Sequence, residues 1–256
     1  MRVVSICPSN TEIVEYLGKI ELLVGVDDFS DWPEEINHLP RVGPDLSIDM
    51  VKVAALEPDL VLASLSVPGM EKNIEALKEM NLPYIILNPN SLAEIESDIR
   101  EVGKALNCPD LGIKKAEMFH AEVEEFRSKA KTSTNQPTLY WEWWPKPVFT
   151  PGGENWLTEI SHLAGAQNIF ADEKIASVKT DWENIREKDP DHICMVWVGV
   201  KEEKMRPELI RKRPGWKEMD AVKKGNIHVL EESLYCRPSP RLLEGLRKLE
   251  KIIHMN

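Results

Sequence analysis

The chain has 256 residues, 42% of them hydrophobic and 29% charged. That length suits one large domain or two lobes of about 120 residues, with apolar material for a substantial core. The formal charge of −11, from 32 basic and 43 acidic residues, opposes phosphate backbones and argues against nucleic-acid binding; no run of 18 apolar residues exists, which excludes a membrane-spanning helix.

The first 107 residues alternate β-rich runs with helical patterns. Arg2–Cys7 reads as a strand. Ser9 to Glu12 then reads as a helix start, with a capping oxygen and an early acid, and Gly18 as its stop. Leu22–Val26 is a predicted strand, Ser47–Leu56 a short helix and Asp59–Ala63 a buried strand. Gly69–Met80 is a helix, Tyr84–Leu87 a strand and Ser91–Leu106 a helix. Such alternation implies a parallel sheet covered on both faces. Ala116, Phe119, Val123, Phe126 and Ala130 then recur at spacings of three and four, the apolar stripe of one long helix over 109–131. Pro109 sits near its start and the segment Thr132–Pro137 breaks it, so it is a candidate connector between lobes.

The second half resumes the alternation. Thr138–Trp144, Ile193–Val198 and Ile227–Leu230 read as strands; Glu154–Ala164, Asp181–Lys188, Lys217–Val222 and Pro240–Ile253 read as helices. The expected divisions are therefore an N-terminal lobe over 1–108, the helix over 109–131 and a C-terminal lobe over 132–256. An internal echo supports duplication. Around Pro58-Asp59 and again around Pro190-Asp191, a helix ends, the chain turns and a strand begins.

Cys7, Cys108, Cys194 and Cys236 are scattered and form no CxxC, so they read as free thiols rather than a metal or redox site. The six histidines make no HxH, HxxxH or HExxH pattern; His120 has Glu117 and Glu124 beside it on the long helix, a surface cluster at most. Gly152-Gly153 lacks the spacing and the Lys of a phosphate loop and reads as a turn. No nucleophile elbow is present, and no catalytic or metal-ligating set is assigned.

Aromatic clustering is the main local signal. Tyr140-Trp141-Glu142-Trp143-Trp144-Pro145 holds four rings in six positions, in a chain with only 7% aromatics. On a continuous strand, Trp141 and Trp143 would point one way and Tyr140 and Trp144 the other. One face would pack in the core; the end nearest Pro145 could present indoles to a ligand, although packing alone would also account for all four. Phe29, Trp32 and Tyr235 lie at predicted strand ends. Large rings with few polar groups suit a large, partly hydrophobic ligand.

Six segments in order, Arg2–Glu12, Leu23–Pro33, Ala55–Ala63, Val148–Gly153, Gly165–Phe170 and Ser239–Leu242, flank the 109–131 helix. Together they resemble, over essentially the whole chain, the cobalamin-binding proteins of bacterial ABC uptake systems, within the group that also binds haem and iron–siderophores. The resemblance implies an α/β protein of two Rossmann-like lobes with mainly parallel sheets, joined by one long α-helix. It implies no catalysis and no resident cofactor, only capture of a corrinoid between the lobes by a monomer. By the same resemblance, Phe29 and the loop of Ser233, Leu234, Tyr235, Cys236 and Arg237 touch the ligand. Trp32, Trp141, Trp143 and Trp144 join them on position and chemistry.

Relatives carry one acid per lobe that pairs with permease arginines. Glu183 matches in the second lobe, whereas Val51 stands at the first-lobe position, and Ser64 stands where a Trp is frequent. An ABC permease is thus an expected partner with one docking acid replaced. The alternatives are a haem protein using Tyr235 as axial ligand, an iron–siderophore protein using Arg237, or a cytosolic corrinoid- or tetrapyrrole-handling protein or enzyme without a permease. The start Met1–Cys7 followed by Pro8 shows no signal peptide. The expected location is cytoplasmic for the chain as given, and extracytoplasmic if a leader has been removed.

Overall fold

The structure, a computed structural model, describes residues 1–130 and 136–254. The Thr132–Pro137 break and the end of the 109–131 pattern therefore fall partly outside the described residues. Two compact units emerge: Met1–Pro89 with Ala93–His120, and Asn90–Leu92 with the chain from Ala121 on. A long helix, α5 (Pro109–Ala130), links the two lobes, and the division falls inside it.

In the first unit, β1 (Val3–Ser5), β2 (Leu23–Val26), β3 (Leu60–Ser64) and β4 (Tyr84–Leu87) form one sheet in the order β2-β1-β3-β4, every pair parallel. The helices are α1 (Pro8–Tyr16), α2 (Met50–Ala55), α3 (Glu71–Glu79) and α4 (Leu92–Ala105). Parallel strands buried on both faces need continuous apolar runs, and β3 supplies one: all five of its residues are buried. Val4, Ile6, Val53, Val61, Ile74 and Leu77 form one core cluster. Against α4, α5 crosses at a glycine pair. A Cβ on Gly103 would lie 2.5 Å from the Gly112 Cα, so only glycine permits this approach.

One helix start differs from the sequence expectation. α1 begins at Pro8, not at Ser9, and its cap position, Cys7, makes no side-chain capping bond. Proline fits the first turn because its missing N–H has no partner there to lose. Ser9, Asn10 and Thr11 are buried instead. Thr11 Oγ1 donates to Ser5 Oγ at 2.8 Å, and Asn10 Nδ2 donates to the Ala63 carbonyl at 3.0 Å. By contrast α2 is capped from its side chain: Asp49 Oδ1 accepts from the Val51 and Lys52 amides, both at 3.1 Å.

In the second unit, β5 (Thr138–Glu142), β8 (Gln167–Asn168), β10 (His192–Met195) and β11 (Ile227–Val229) form an all-parallel sheet in the order β8-β5-β10-β11. By chain position, the second strand, the first, the third and the fourth lie side by side, the same order as in the first unit. The Pro-Asp echo has a shared geometry as well. Glu57 and Asp189, the residues before the two prolines, both have positive φ (47° and 41°). Asp59 Oδ2 accepts the Arg2 amide at 2.6 Å, entering β1, and Asp191 Oδ2 accepts the Thr138 amide at 2.8 Å, entering β5. In each unit the aspartate opening the third strand thus fixes the start of the first.

A three-stranded antiparallel sheet was not expected from the sequence: β6 (Trp144–Pro145), β7 (Val148–Pro151) and β9 (Ser177–Thr180). It shortens the predicted Thr138–Trp144 strand, because Trp143 leaves the parallel ladder and its amide donates to the Phe149 carbonyl at 3.0 Å. The remaining helices are α6 (Trp156–Leu163), α7 (Trp182–Lys188), α8 (Glu208–Arg211), α9 (Asp220–Lys224), α10 (Glu232–Tyr235) and α11 (Leu242–His254). The core packs Tyr140, Phe170, Ile185, Ile193, Met195 and Trp216. No helix among the described residues is long and apolar enough to cross a membrane.

Candidate ligand site

Ligands of open α/β sheets bind outside the carboxyl ends of the strands. In the first unit, the chain leaves β2 through Asp27, Asp28 and Phe29. Asp27 is fully buried. Its Oδ2 accepts the amides of Phe29 and Ser30 at 2.8 and 3.1 Å, and its Oδ1 accepts the Ser30 hydroxyl. Arg41 clamps the same turn from its carbonyls, Nη1 donating to Asp27 O at 3.0 Å and also to Ser30 O. On this fixed turn the Phe29 ring is 45% exposed, and Trp32, three residues on, is 40% exposed. Ser64, at the end of β3, is buried and donates to Ser66 Oγ at 2.9 Å, so it offers no ring.

In the second unit the aromatic run divides into two kinds of residue. Tyr140 and Trp141 are both fully buried, because the parallel sheet is covered on both faces. Trp141 Nε1 donates to Ser161 Oγ at 2.8 Å. Trp143 is half-buried, its ring 6.3 Å from that of Trp156, and its indole N–H is buried without a hydrogen-bond acceptor. Trp144 is 42% exposed and pairs with Trp197 at 6.4 Å between centroids. Strand alternation does not describe this run, since the ladder changes at Trp143.

Most of the 233–237 loop turns inward. As α10, it buries Leu234 and Tyr235 against α11. The Tyr235 hydroxyl donates to the Gly245 carbonyl at 2.8 Å, and burial pushes its phenol pKa far up. Arg237 is 8% exposed and ion-pairs with Glu232 at 3.2 Å. Half-buried Cys236 points its thiol at the Val196 carbonyl, 3.6 Å away, and burial raises its pKa well above the usual range. Ser233 is partly exposed. Tyr235 and Trp141, both expected at the ligand, have their rings and their polar tips enclosed by the chain.

Trp197 escaped sequence reasoning. It follows β10, was read as part of that strand, and carries the signal used for the other candidates, a large ring at a strand's carboxyl end. Glu183, the expected docking acid, lies exposed in the first turn of α7. Its carboxyl accepts from Arg186 Nε at 3.0 Å, and this hydrogen bond holds its pKa below the usual carboxylate range. Beside it opens an apolar pocket of about 490 Å³ lined by Pro145, Pro147, Trp182 and Pro214. Val51, on α2, is 75% exposed. His120 pairs with Glu96 at 2.9 Å rather than with its own helix neighbours.

Burial raises the Cys7 thiol to about 11 and the Cys194 thiol higher still, so neither is an activated nucleophile. Among the described residues, no cluster of three His, Cys, Asp or Glu is placed to hold a metal ion.

Comparison with known proteins agrees with this arrangement. The family model described as periplasmic binding protein matches residues 3–234. An ABC transporter substrate-binding lipoprotein of Bacillus subtilis, YvrC, itself uncharacterised, is 30% identical over 258 aligned positions, covering 99% of this chain and 80% of the relative. The vitamin B12-binding protein of Vibrio parahaemolyticus is 26% identical over 246 positions, 96% of this chain and 86% of that one. Among solved structures, the periplasmic heme-binding protein RhuT of Roseiflexus superposes with a TM-score of 0.86 at 24% identity, covering 99% of this chain and 98% of the other, and shares the fold. The relatives are solute-binding proteins rather than enzymes. The chain belongs to the periplasmic binding protein family, among the ABC-transporter substrate-binding proteins, which take a small-molecule ligand and act with a permease.

Proposed function

We propose that the chain captures cobalamin or a related corrinoid and hands it to an ABC permease. The observation that carries this reading is the set of large rings left exposed at strand ends. They are Phe29 and Trp32 in the first unit and Trp144 in the second, with the Trp197 ring inclined against it. An exposed ring on a clamped turn contributes little to folding and offers a flat apolar face to a large, flat ligand. Ser233, partly exposed on α10, adds a polar contact; the Trp143 indole N–H is enclosed by the chain and does not reach the ligand. Similarity to vitamin B12-binding proteins along 96% of the chain supports the same ligand class.

Haem is the second reading. It needs an axial ligand, and the candidate Tyr235 spends its hydroxyl on the Gly245 carbonyl inside the fold. A siderophore anion would need a free cation, and Arg237 is already paired with Glu232. Both observations favour the corrinoid. For the permease, Glu183 and the apolar pocket beside it form the docking surface of the second unit. Val51 replaces the charged contact of the first with an apolar one. Equilibrium dialysis against cyanocobalamin, read at the corrin visible band, tests the ligand. Retention on the protein side is expected; equal concentrations on both sides would remove the corrinoid reading.

A further inference from the structure

The second unit buries a complete ion pair that solute capture does not by itself explain. Glu142, at the end of β5, is fully buried, and Arg213 is 5% exposed. They pair bidentately: Arg213 Nη1 donates to Glu142 Oε2 at 2.5 Å and Nη2 to Oε1 at 2.8 Å. Glu142 accepts two more bonds, from Tyr140 Oη at 3.0 Å and from Trp197 Nε1 at 3.0 Å. Burial, with the Glu142 charge alongside, raises the Tyr140 phenol well above its usual range, so it remains a donor. The Arg213 guanidinium lies over two indoles, 4.8 Å from the Trp182 centroid and 4.5 Å from that of Trp216.

Stability alone is a poor reason for such a pair, because well-packed apolar residues of similar volume often replace buried ion pairs at no cost or with a gain. Geometry supplies another. Glu142 fixes the Trp197 indole by its N–H. Arg213 stacks on Trp182, whose own Nε1 donates to the Pro145 carbonyl at 3.1 Å. Pro145 is the residue after Trp144, in the two-residue strand β6. Both members of the Trp144–Trp197 pair are thus held from the same buried charges, one through its indole and the other through its strand.

We propose that Glu142 and Arg213 are positioning residues for the Trp144–Trp197 pair, and through it set ligand affinity. The affinity part rests on the corrinoid reading; the positioning part stands on the unit's own geometry. The pair pre-orients two rings, one on the short strand β6 and one half-buried just after β10, so ligand binding loses less rotamer entropy.

The test has two arms, run on the folded full chain with melting temperature as a control. In the first, the protein is labelled with ¹⁵N at the indoles and relaxation is measured without ligand. Glu142→Gln is expected to loosen Trp197 and Trp144 selectively; unchanged order at both indoles overturns the positioning. In the second, cyanocobalamin affinity is compared in four proteins: wild type, Glu142→Gln, the Trp144→Ala/Trp197→Phe double variant, and the triple variant. Glu142→Gln is expected to weaken binding about tenfold in wild type and by under about twofold in the double variant. An equal loss in both backgrounds overturns the role in affinity. If Glu142→Gln does not fold, Arg213→Lys takes its place, keeping the charge and losing the second bond. If wild type binds no cyanocobalamin, the corrinoid reading fails, the role in corrinoid affinity fails with it, and the indole arm alone decides the positioning.

Discussion

The rings of Trp141 and Tyr235 lie 5.5 Å apart between centroids, inclined at 45°, and neither is exposed to solvent. These two residues, both expected from the sequence to touch the ligand, pack on each other in the second unit. Their polar tips end on Ser161 and on the Gly245 carbonyl. Tyr235→Phe is therefore expected to lower stability by about 1 kcal/mol, one buried hydrogen bond, and to leave ligand affinity intact. Trp141→Ala is expected to cost about 3–5 kcal/mol through the cavity it leaves. Denaturant melts and a cyanocobalamin titration measure both. A Tyr235→Phe protein with unchanged stability and weakened binding would return this residue to the site.

Phe29 presents the opposite case. Its ring is 45% exposed, and the turn beneath it is held by Asp27 and Arg41, not by the ring. Phe29→Ala is expected to change stability by no more than about 0.5 kcal/mol and to weaken cyanocobalamin binding about tenfold. A variant that binds as tightly as wild type would exclude the ring from the ligand surface.

The contrast between Phe29 and Tyr235 marks what the sequence makes legible. Element types, the parallel sheets and the α5 stripe follow from periodicity, because burial on one face or both dictates where apolar residues recur. The stripe residues Ala116, Phe119, Val123, Phe126 and Ala130 are all buried. The Pro-Asp echo was readable because the same turn fixes the same strand entry twice. The antiparallel β6–β7–β9 sheet was not readable: it joins a tight hairpin, β6–β7, whose two-residue turn breaks the alternation on which the Trp141–Trp144 reading rested, to β9, about thirty residues further on. Whether an aromatic at a strand end turns outward depends on partners far along the chain, such as Trp141 for Tyr235 and Glu142 for Trp197. No local pattern carries that information.

Asp98 gives a pH signature in the first unit. Burial, with Glu101 and Glu94 nearby, raises its pKa from 3.8 to about 7, and Oδ2 has no hydrogen-bond partner. Between these values the folded state holds a proton that the unfolded chain has released. Its contribution to stability is therefore full below about pH 4 and is lost as pH rises to about 7. Asp98→Asn cannot ionise. Relative to wild type, the variant is expected to gain stability steadily from pH 4 to pH 7 and to hold that gain above. A difference between the two proteins that does not vary with pH, in thermal melts across that range, would show that Asp98 titrates normally.

Val51 and Glu183 bear on the permease. With the Glu183 carboxylate exposed and Val51 75% exposed, charged docking is expected from the second unit alone. Glu183→Ala should reduce stimulation of permease ATPase activity in proteoliposomes several-fold, while Val51→Ala leaves it within about twofold. Ligand affinity should be unchanged in both. Full stimulation by Glu183→Ala would move the docking surface elsewhere.

The central claim is the ligand, and calorimetric titration of the unmodified chain with cyanocobalamin, with haem run in the same format, tests it most directly. One-to-one binding of cyanocobalamin at micromolar affinity or tighter, with a negative heat-capacity change from buried apolar rings, is the expected result. Absence of cyanocobalamin binding, or haem binding more tightly than the corrinoid, would contradict it.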